Sequence, residues 1–208
     1  VDARGVCHDV TIENLKIINY GSGQQVVGIS TKGPAWNWLI RRNTIIGAGT
    51  GIYLGNSDGT APFVNSVIEY NLVVDTIGYN LQIKHQAPRP DLSGMPEGRS
   101  MTILRHNVFA KPNAGLVASA RPNVLVGHFP REGRGAEDDY VIYGNFFYQN
   151  RNEALFQGEG NVALYGKAGK RWTMTERSRA SMSRDATRFT IGPSSLAWDG
   201  HCLTIRID

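Results

Sequence analysis

The sequence predicts an all-β chain: a right-handed parallel β-helix (solenoid) with a short irregular β-rich C-terminal tail. Three observations predict it. A pattern of an apolar residue, two residues, Asn, one residue and two apolar residues recurs along the chain. A second short apolar strand follows each Asn by roughly ten residues. The 24 glycines in 208 residues sit between short apolar runs, which is the punctuation of strands rather than helices.

The pattern reads Ile40-Arg41-Arg42-Asn43-Thr44-Ile45-Ile46, then Ile68-Glu69-Tyr70-Asn71-Leu72-Val73-Val74, then Leu104-Arg105-His106-Asn107-Val108-Phe109-Ala110, then Ile142-Tyr143-Gly144-Asn145-Phe146-Phe147-Tyr148. A degenerate earlier copy, Ile12 to Ile18, carries Leu15 at the Asn position. The asparagines are separated by 28, 36 and 38 residues. The second strands are Val27–Ile29, Gly51–Leu54, Asn80–Ile83 and Ala154–Phe156, with Leu116-Val117 or Val124–Val126 in the fourth unit. Loop-like inserts at 86–99 and 130–138 account for the two wider spacings. No unit buries its apolar face alone, so the units must stack into parallel sheets around a shared interior. The crossover rule makes such a coil right-handed. The recurring Asn is expected at a turn, in a left-handed backbone conformation, its amide bonded to the next coil as a ladder. The flanking aromatics Phe146, Phe147, Tyr148 and Phe156 are expected in the stacked core, and Trp36 and Trp38 are expected to pack.

Two domains follow: residues 1–165 as β-helix rungs, and residues 166–208 as a basic linker plus a β-hairpin tail turning at Asp199-Gly200. Residues 1–165 hold 14 Lys or Arg and 14 Asp or Glu, whereas 166–188 hold seven basic residues against two acidic ones, so the net charge of +4 belongs to the tail. That is no footprint for nucleic acid. No apolar run is long enough to span a membrane. Cys7 and Cys202, one near each end, give neither a disulfide framework nor metal spacing. Phosphate-loop, Ser-elbow and zinc-helix motifs are absent. The chain opens without a signal peptide and closes inside a strand, so both ends read as cut from something longer.

Residues 10–165 resemble the right-handed parallel β-helix (pectate-lyase-like) superfamily, by rung spacing and the Asn turn. The resemblance implies a polysaccharide partner and an extracellular or periplasmic setting, with lyase, epimerase, hydrolase and non-catalytic adhesion roles all open. Asn161-Val162-Ala163-Leu164-Tyr165-Gly166, Arg171 to Arg177 and Ile191 to Gly200 resemble the N-terminal part of carotenoid 1,2-hydratases (hydroxyneurosporene synthases). That family hydrates a terminal double bond of an acyclic carotenoid. Its acid–base residues lie further along than this segment reaches, which implies a fragment inactive as it stands. The 161–166 string fits both a rung and the hydratase pattern, so the chain reads as two parents joined there, or as one gene whose tail caps the coil.

Loops after the second strands occupy equivalent positions and should form one polar stripe. They supply Asn56, Ser57 and Asp58, then Lys84, His85 and Gln86, then His128, then Gln157 and Glu159. For β-elimination on an acidic polysaccharide, Lys84, His85 and Asp58 are the candidate catalytic residues, with Lys84 as base. Asn56, Gln86, His128, Gln157 and Glu159 are the candidate substrate contacts. No metal ligands are assigned; Ca²⁺ is the one cofactor such chemistry would draw on, with Asp58 and Glu159 as its carboxylates. Hydrolysis would need two carboxylates across one bond, and these lie three rungs apart. The competing reading is a solvated face of turn residues. Oligomeric state is left open.

Overall fold

The computed structural model describes residues 1–19, 21–113, 121–150, 153–159, 161–165, 188–191 and 203–205. The described residues are all-β, with no helix. The first pass of the chain contributes β1 (Asp2–Ala3), β2 (Cys7–His8), β3 (Thr11–Glu13) and β4 (Lys16–Ile18). The second gives β5 (Val27–Thr31), β6 (Ala35–Trp36), β7 (Leu39–Arg41) and β8 (Thr44–Ile46), and the third β9 (Thr50–Leu54), β10 (Phe63–Val64), β11 (Val67–Glu69) and β12 (Leu72–Val74). The fourth is β13 (Leu81–Ile83), β14 (Met101–Arg105) and β15 (Val108–Ala110), and the fifth β16 (Val124–Val126), β17 (Asp139–Tyr143) and β18 (Phe146–Tyr148). Then come β19 (Phe156–Glu159), β20 (Val162–Tyr165), β21 (Arg188–Ile191) and β22 (Leu203–Ile205).

The first three passes add one strand each to four sheets, and the next two add one each to the first, third and fourth. The first sheet runs β1-β5-β9-β13-β16-β19-β21, the second β2-β6-β10, the third β3-β7-β11-β14-β17-β20-β22 and the fourth β4-β8-β12-β15-β18. Pairing is parallel from β1 through β20. The tail strands are antiparallel: β21 lies on β19 and β22 on β20. Among the described residues they lie at the ends of the two long sheets; the hairpin turn expected at Asp199-Gly200 lies outside the described residues. The fourth-unit strand is β16; Leu116-Val117 also lies outside them.

Three columns of aligned apolar side chains make the core. Ile29, Ile52, Leu81, Val124 and Phe156 are in register in the first sheet. Ile12, Ile40, Ile68, Leu104 and Ile142 align in the third, and Ile45, Val73 and Phe109 in the fourth. All are buried. Phe147 stacks on Phe109 with ring centroids 5.8 Å apart and meets Phe156 edge-on. Strand alternation then turns Phe146 and Tyr148 outward, against the expectation that they join the core. They are 40% and 45% exposed and stack on each other. Trp36 and Trp38 are buried, as packing residues.

The asparagine ladder forms between the third and fourth sheets. Asn71 Oδ1 accepts from the backbone N–H and the Nδ2 of Asn43, at 3.0 and 2.9 Å, while Asn71 Nδ2 donates to Ile40 O and to Asn107 Oδ1. Asn107 repeats this with Asn145. The left-handed residue is not the Asn but the one before it: Asn14, Arg42, Tyr70, His106 and Gly144 have positive φ. That turn frees each Asn to point inward at the preceding pass. Two further corners carry positive φ, at Asp9, Asn37 and Asn65, and at Asn19, Gly47, Asp75 and Gln149.

Asn71→Ala leaves the Asn43 N–H and the Ile40 carbonyl buried without their bonds. It is expected to cost about 3 kcal/mol, as two such groups at the usual penalty, read as a lowered midpoint in urea unfolding with unchanged slope.

Candidate functional site

Register carries the polar stripe. In the first sheet Thr31, Leu54, Ile83, Val126 and Gly158 are successive partners. One residue further on, Lys32, Gly55, Lys84, Gly127 and Glu159 share a row; two further on, Asn56, His85 and His128 share the next. The imidazoles of His85 and His128 stack, centroids 5.2 Å apart and 24° between planes. Gly127 permits this approach: a Cβ there would fall 2.3 Å from the His85 backbone nitrogen. Gln86 N–H donates to His128 O at 2.9 Å, locking the two loops together.

Asn56 and Asp58 shape their own loop. Asn56 Nδ2 donates to Thr60 Oγ1 at 2.8 Å and its Oδ1 accepts from Ala61 N–H at 3.0 Å. Asp58 Oδ1 accepts from the backbone N–H and hydroxyl of Thr60, which hold its carboxyl below the usual range. Partial burial, then the neighbouring His128 and Lys84, push His85 below the ordinary histidine value, while Glu159 and Asp58 oppose the shift. Asp58, Lys84, His85, His128 and Glu159 therefore form one electrostatic group.

Gln86 and Gln157 do not present their amides to solvent. Both are buried, and Gln86 Nε2 donates to Phe63 O and to the Tyr140 hydroxyl. Gln86 therefore faces inward beneath the inserts, and Gln157 pairs within the sheet. The described residues contain no group of three or more His, Cys, Asp or Glu that could hold a metal ion.

The two inserts are bonded to each other. Arg89 and Asp138 form a buried ion pair at 3.0 Å, and Ser100 N–H donates to the same Asp138 oxygen. Arg89 N–H donates to Arg134 O, and Arg134 reaches Asp91 at 2.9 Å. Burial pushes the Asp138 carboxyl up, against the Ser100 N–H and the Arg89 charge. Met95 and Leu92 of the first insert pack on Trp36 and Val64, covering the second sheet.

Lys32 and Tyr53 lie beside the stripe and were not among the residues the sequence singled out. The Lys32 ammonium lies 3.5 Å over the Tyr53 ring centroid, and the Lys84 ammonium lies 6.0 Å from that same centroid. Equivalence to Lys84 two passes away was the available signal, but it needs the register to be seen.

The carotenoid hydratase CrtC family matches residues 148–208. Acyclic carotenoid 1,2-hydratase of Thiocapsa roseopersicina is 62% identical over 48 residues, 23% of this chain and 12% of that protein. The enzyme of the same description from Rubrivivax gelatinosus is 60% identical over 48 residues, with the same shares of each chain. That from Cereibacter sphaeroides is 42% identical over 48 residues, 23% of this chain and 17% of that protein. The chain thus spans well under a fifth of the length of these relatives. No solved structure matches it.

His85 supplies a pH prediction. Its folded-state value lies below 6.5, so the fold prefers neutral imidazole. The stability this confers is full above the unfolded value and is lost as pH falls through the folded one. Thermal midpoints should drop on acidification below about pH 6.5, and His85→Gln should flatten that part of the curve.

Proposed function

We propose that this chain joins a right-handed parallel β-helix, residues 1–165, to a segment related to acyclic carotenoid 1,2-hydratases, and that residues 1–208 by themselves do not hydrate carotenoid. The observation that carries the reading is the 62% identity over a stretch that makes up only 12% of the relative. Hydration across a 1,2 double bond needs an acid to protonate one carbon and a positioned water to attack the other. A stretch this short supplies little of the enclosure such a reaction needs. The β-helix reading is supported by the repeated visit to the same sheets, the parallel register and the inward amide ladder. Its right hand follows from the crossover rule.

The test incubates the purified chain with an acyclic carotenoid in detergent micelles and looks for the tertiary alcohol by mass spectrometry. No product is expected. Alcohol formed by residues 1–208 overturns the inactive reading.

A second reading, action on an acidic polysaccharide, is favoured by one observation: Lys84, His85, His128 and Glu159 fall in adjoining rows beside the Asp58 loop. In a β-elimination, Lys84 would take the proton α to the uronate carboxylate, the electron pair would form the double bond, and the glycosidic oxygen would leave with a proton from the neighbouring imidazoles. Ultraviolet detection of unsaturated uronate checks this. Lys84→Ala should abolish release while leaving the circular dichroism spectrum unchanged; undiminished turnover in that variant removes Lys84 from the mechanism.

A further inference from the structure

We infer that the outer face of the third sheet, over β3, β7, β11 and β14, is the contact surface for a second copy of this chain. The two copies are related by a two-fold axis that runs along the strands, midway between β7 and β11. This contact is independent of the hydratase-like and polysaccharide readings.

Alternation along these strands turns two rows outward. One row is Glu13, Arg41, Glu69 and Arg105, one residue per strand and in register. Its charges alternate in sign. Glu13 Oε2 accepts from Arg41 Nε at 2.5 Å, and Glu69 Oε2 accepts from Arg105 Nε at 2.7 Å. The second row is Thr11, Leu39, Val67 and Ile103, also in register. Leu39, Val67 and Ile103 are only half-buried, so this face shows an apolar stripe to solvent beside the charged one.

A row of four alternating charges is complementary to its own reverse. A two-fold axis along the strands turns each row end for end and lays it on itself. With the axis midway between β7 and β11, Glu13 faces Arg105 of the second copy, and Arg41 faces Glu69 of the second copy. Placing the axis on β7 sets Arg41 against Arg41, and placing it on β11 sets Glu69 against Glu69. Moving it by one whole strand halves the ion pairs. The charges therefore select one register. In that register Leu39 meets Val67 of the second copy, and Ile103 meets Thr11. The Glu69 side chain is 9% exposed, against 37% for Glu13 and 35% for Arg105, so the outer pairs carry the recognition. Four short strands offer less than the roughly 800 Å² per partner of a stable interface. The dimer is accordingly weak and sensitive to salt.

The test is sedimentation velocity of the full chain at concentrations up to roughly 500 µM, where a weak dimer is populated. The wild type should shift toward dimer as concentration rises, and added salt should reverse the shift. Glu13→Arg sets two like-charged pairs into its own dimer, and so does Arg105→Glu. Each alone should weaken self-association at least roughly tenfold. Mixed in equal amounts, the two variants restore both outer pairs, and the mixture should sediment as dimer again. Circular dichroism melts check that each variant is folded. Where a reversal does not fold, Glu13→Gln and Arg105→Gln take its place, and each should weaken association without a partner variant to rescue it. A wild type that stays monomeric throughout overturns the inference. So does a dimer indifferent to salt, one that survives undiminished in any of these variants, or a mixture of the two folded reversal variants that fails to associate.

Discussion

The amide ladder from Asn43 through Asn71 and Asn107 to Asn145 is the constraint on which the rest depends. Each interior member is fully satisfied: the carbonyl oxygen accepts two bonds from the preceding asparagine, and both amide hydrogens find partners. A buried amide with all four bonds made is stabilising; one with a bond missing is costly. The ladder therefore tolerates no slip between passes. It ends by design at both sides. Leu15 offers only its backbone N–H to Asn43, and Asn145 turns its spare hydrogen to Tyr143 O. With the register locked there, every other column follows, including the row that stacks His85 on His128.

The ladder also dictates where the chain can grow. The segment from third-sheet strand through Asn to fourth-sheet strand keeps one length in every pass, so additional residues must enter elsewhere. In the fourth pass they enter between the first and third sheets, where the second-sheet strand is dropped. In the fifth they enter chiefly between the fourth and first sheets, because β15 ends at Ala110 and β16 begins only at Val124; the 130–138 insert therefore does not account for the second wide spacing, against the expectation from the sequence. The first insert then lays Leu92 and Met95 over Trp36 and Val64, taking the place of the missing strand's cover. Burying Arg89 with Asp138 ties the two inserts together; such a pair is expensive to desolvate and fixes one arrangement because breaking it is worse.

What the sequence made legible divides along the same physical line. Asn43, Asn71, Asn107 and Asn145, and the apolar residues following them, were readable because the ladder repeats identity as well as polarity. The turn was misplaced by one residue because Arg42, Tyr70 and His106 are not turn-forming types; they adopt positive φ because the ladder bonds outweigh their own preference. The two-residue strands β2, β6 and β10 carry no periodicity and could not be read. At the candidate site, Lys84, His85 and His128 were legible from equivalent positions after a strand. Gln86 looked equally polar and equally placed, yet its amide is needed by Phe63 O and the Tyr140 hydroxyl inside. Sequence position fixes the row a residue belongs to, but the partners beneath it decide which way its side chain turns.

The hydratase-like match begins at residue 148, inside the parallel part of the chain, because β19 and β20 still pair in parallel with β16 and β17. An open parallel edge is a template that selects for register and for an apolar residue at the inward position, and for little else. Phe156 meets that demand, buried in register with Val124, and Leu164 continues the third-sheet column after Ile142, packed against the core. Any segment with a suitably placed strand can therefore extend such a body, whatever fold its relatives adopt. Direction is the more telling property. β21 and β22 run antiparallel to the strands they cover, and an antiparallel strand ends the repetition because the next parallel return has no matching pass to follow. The change of direction, rather than the start of the sequence match, is where the repeating architecture stops and the exposed ends of its first and third sheets are closed.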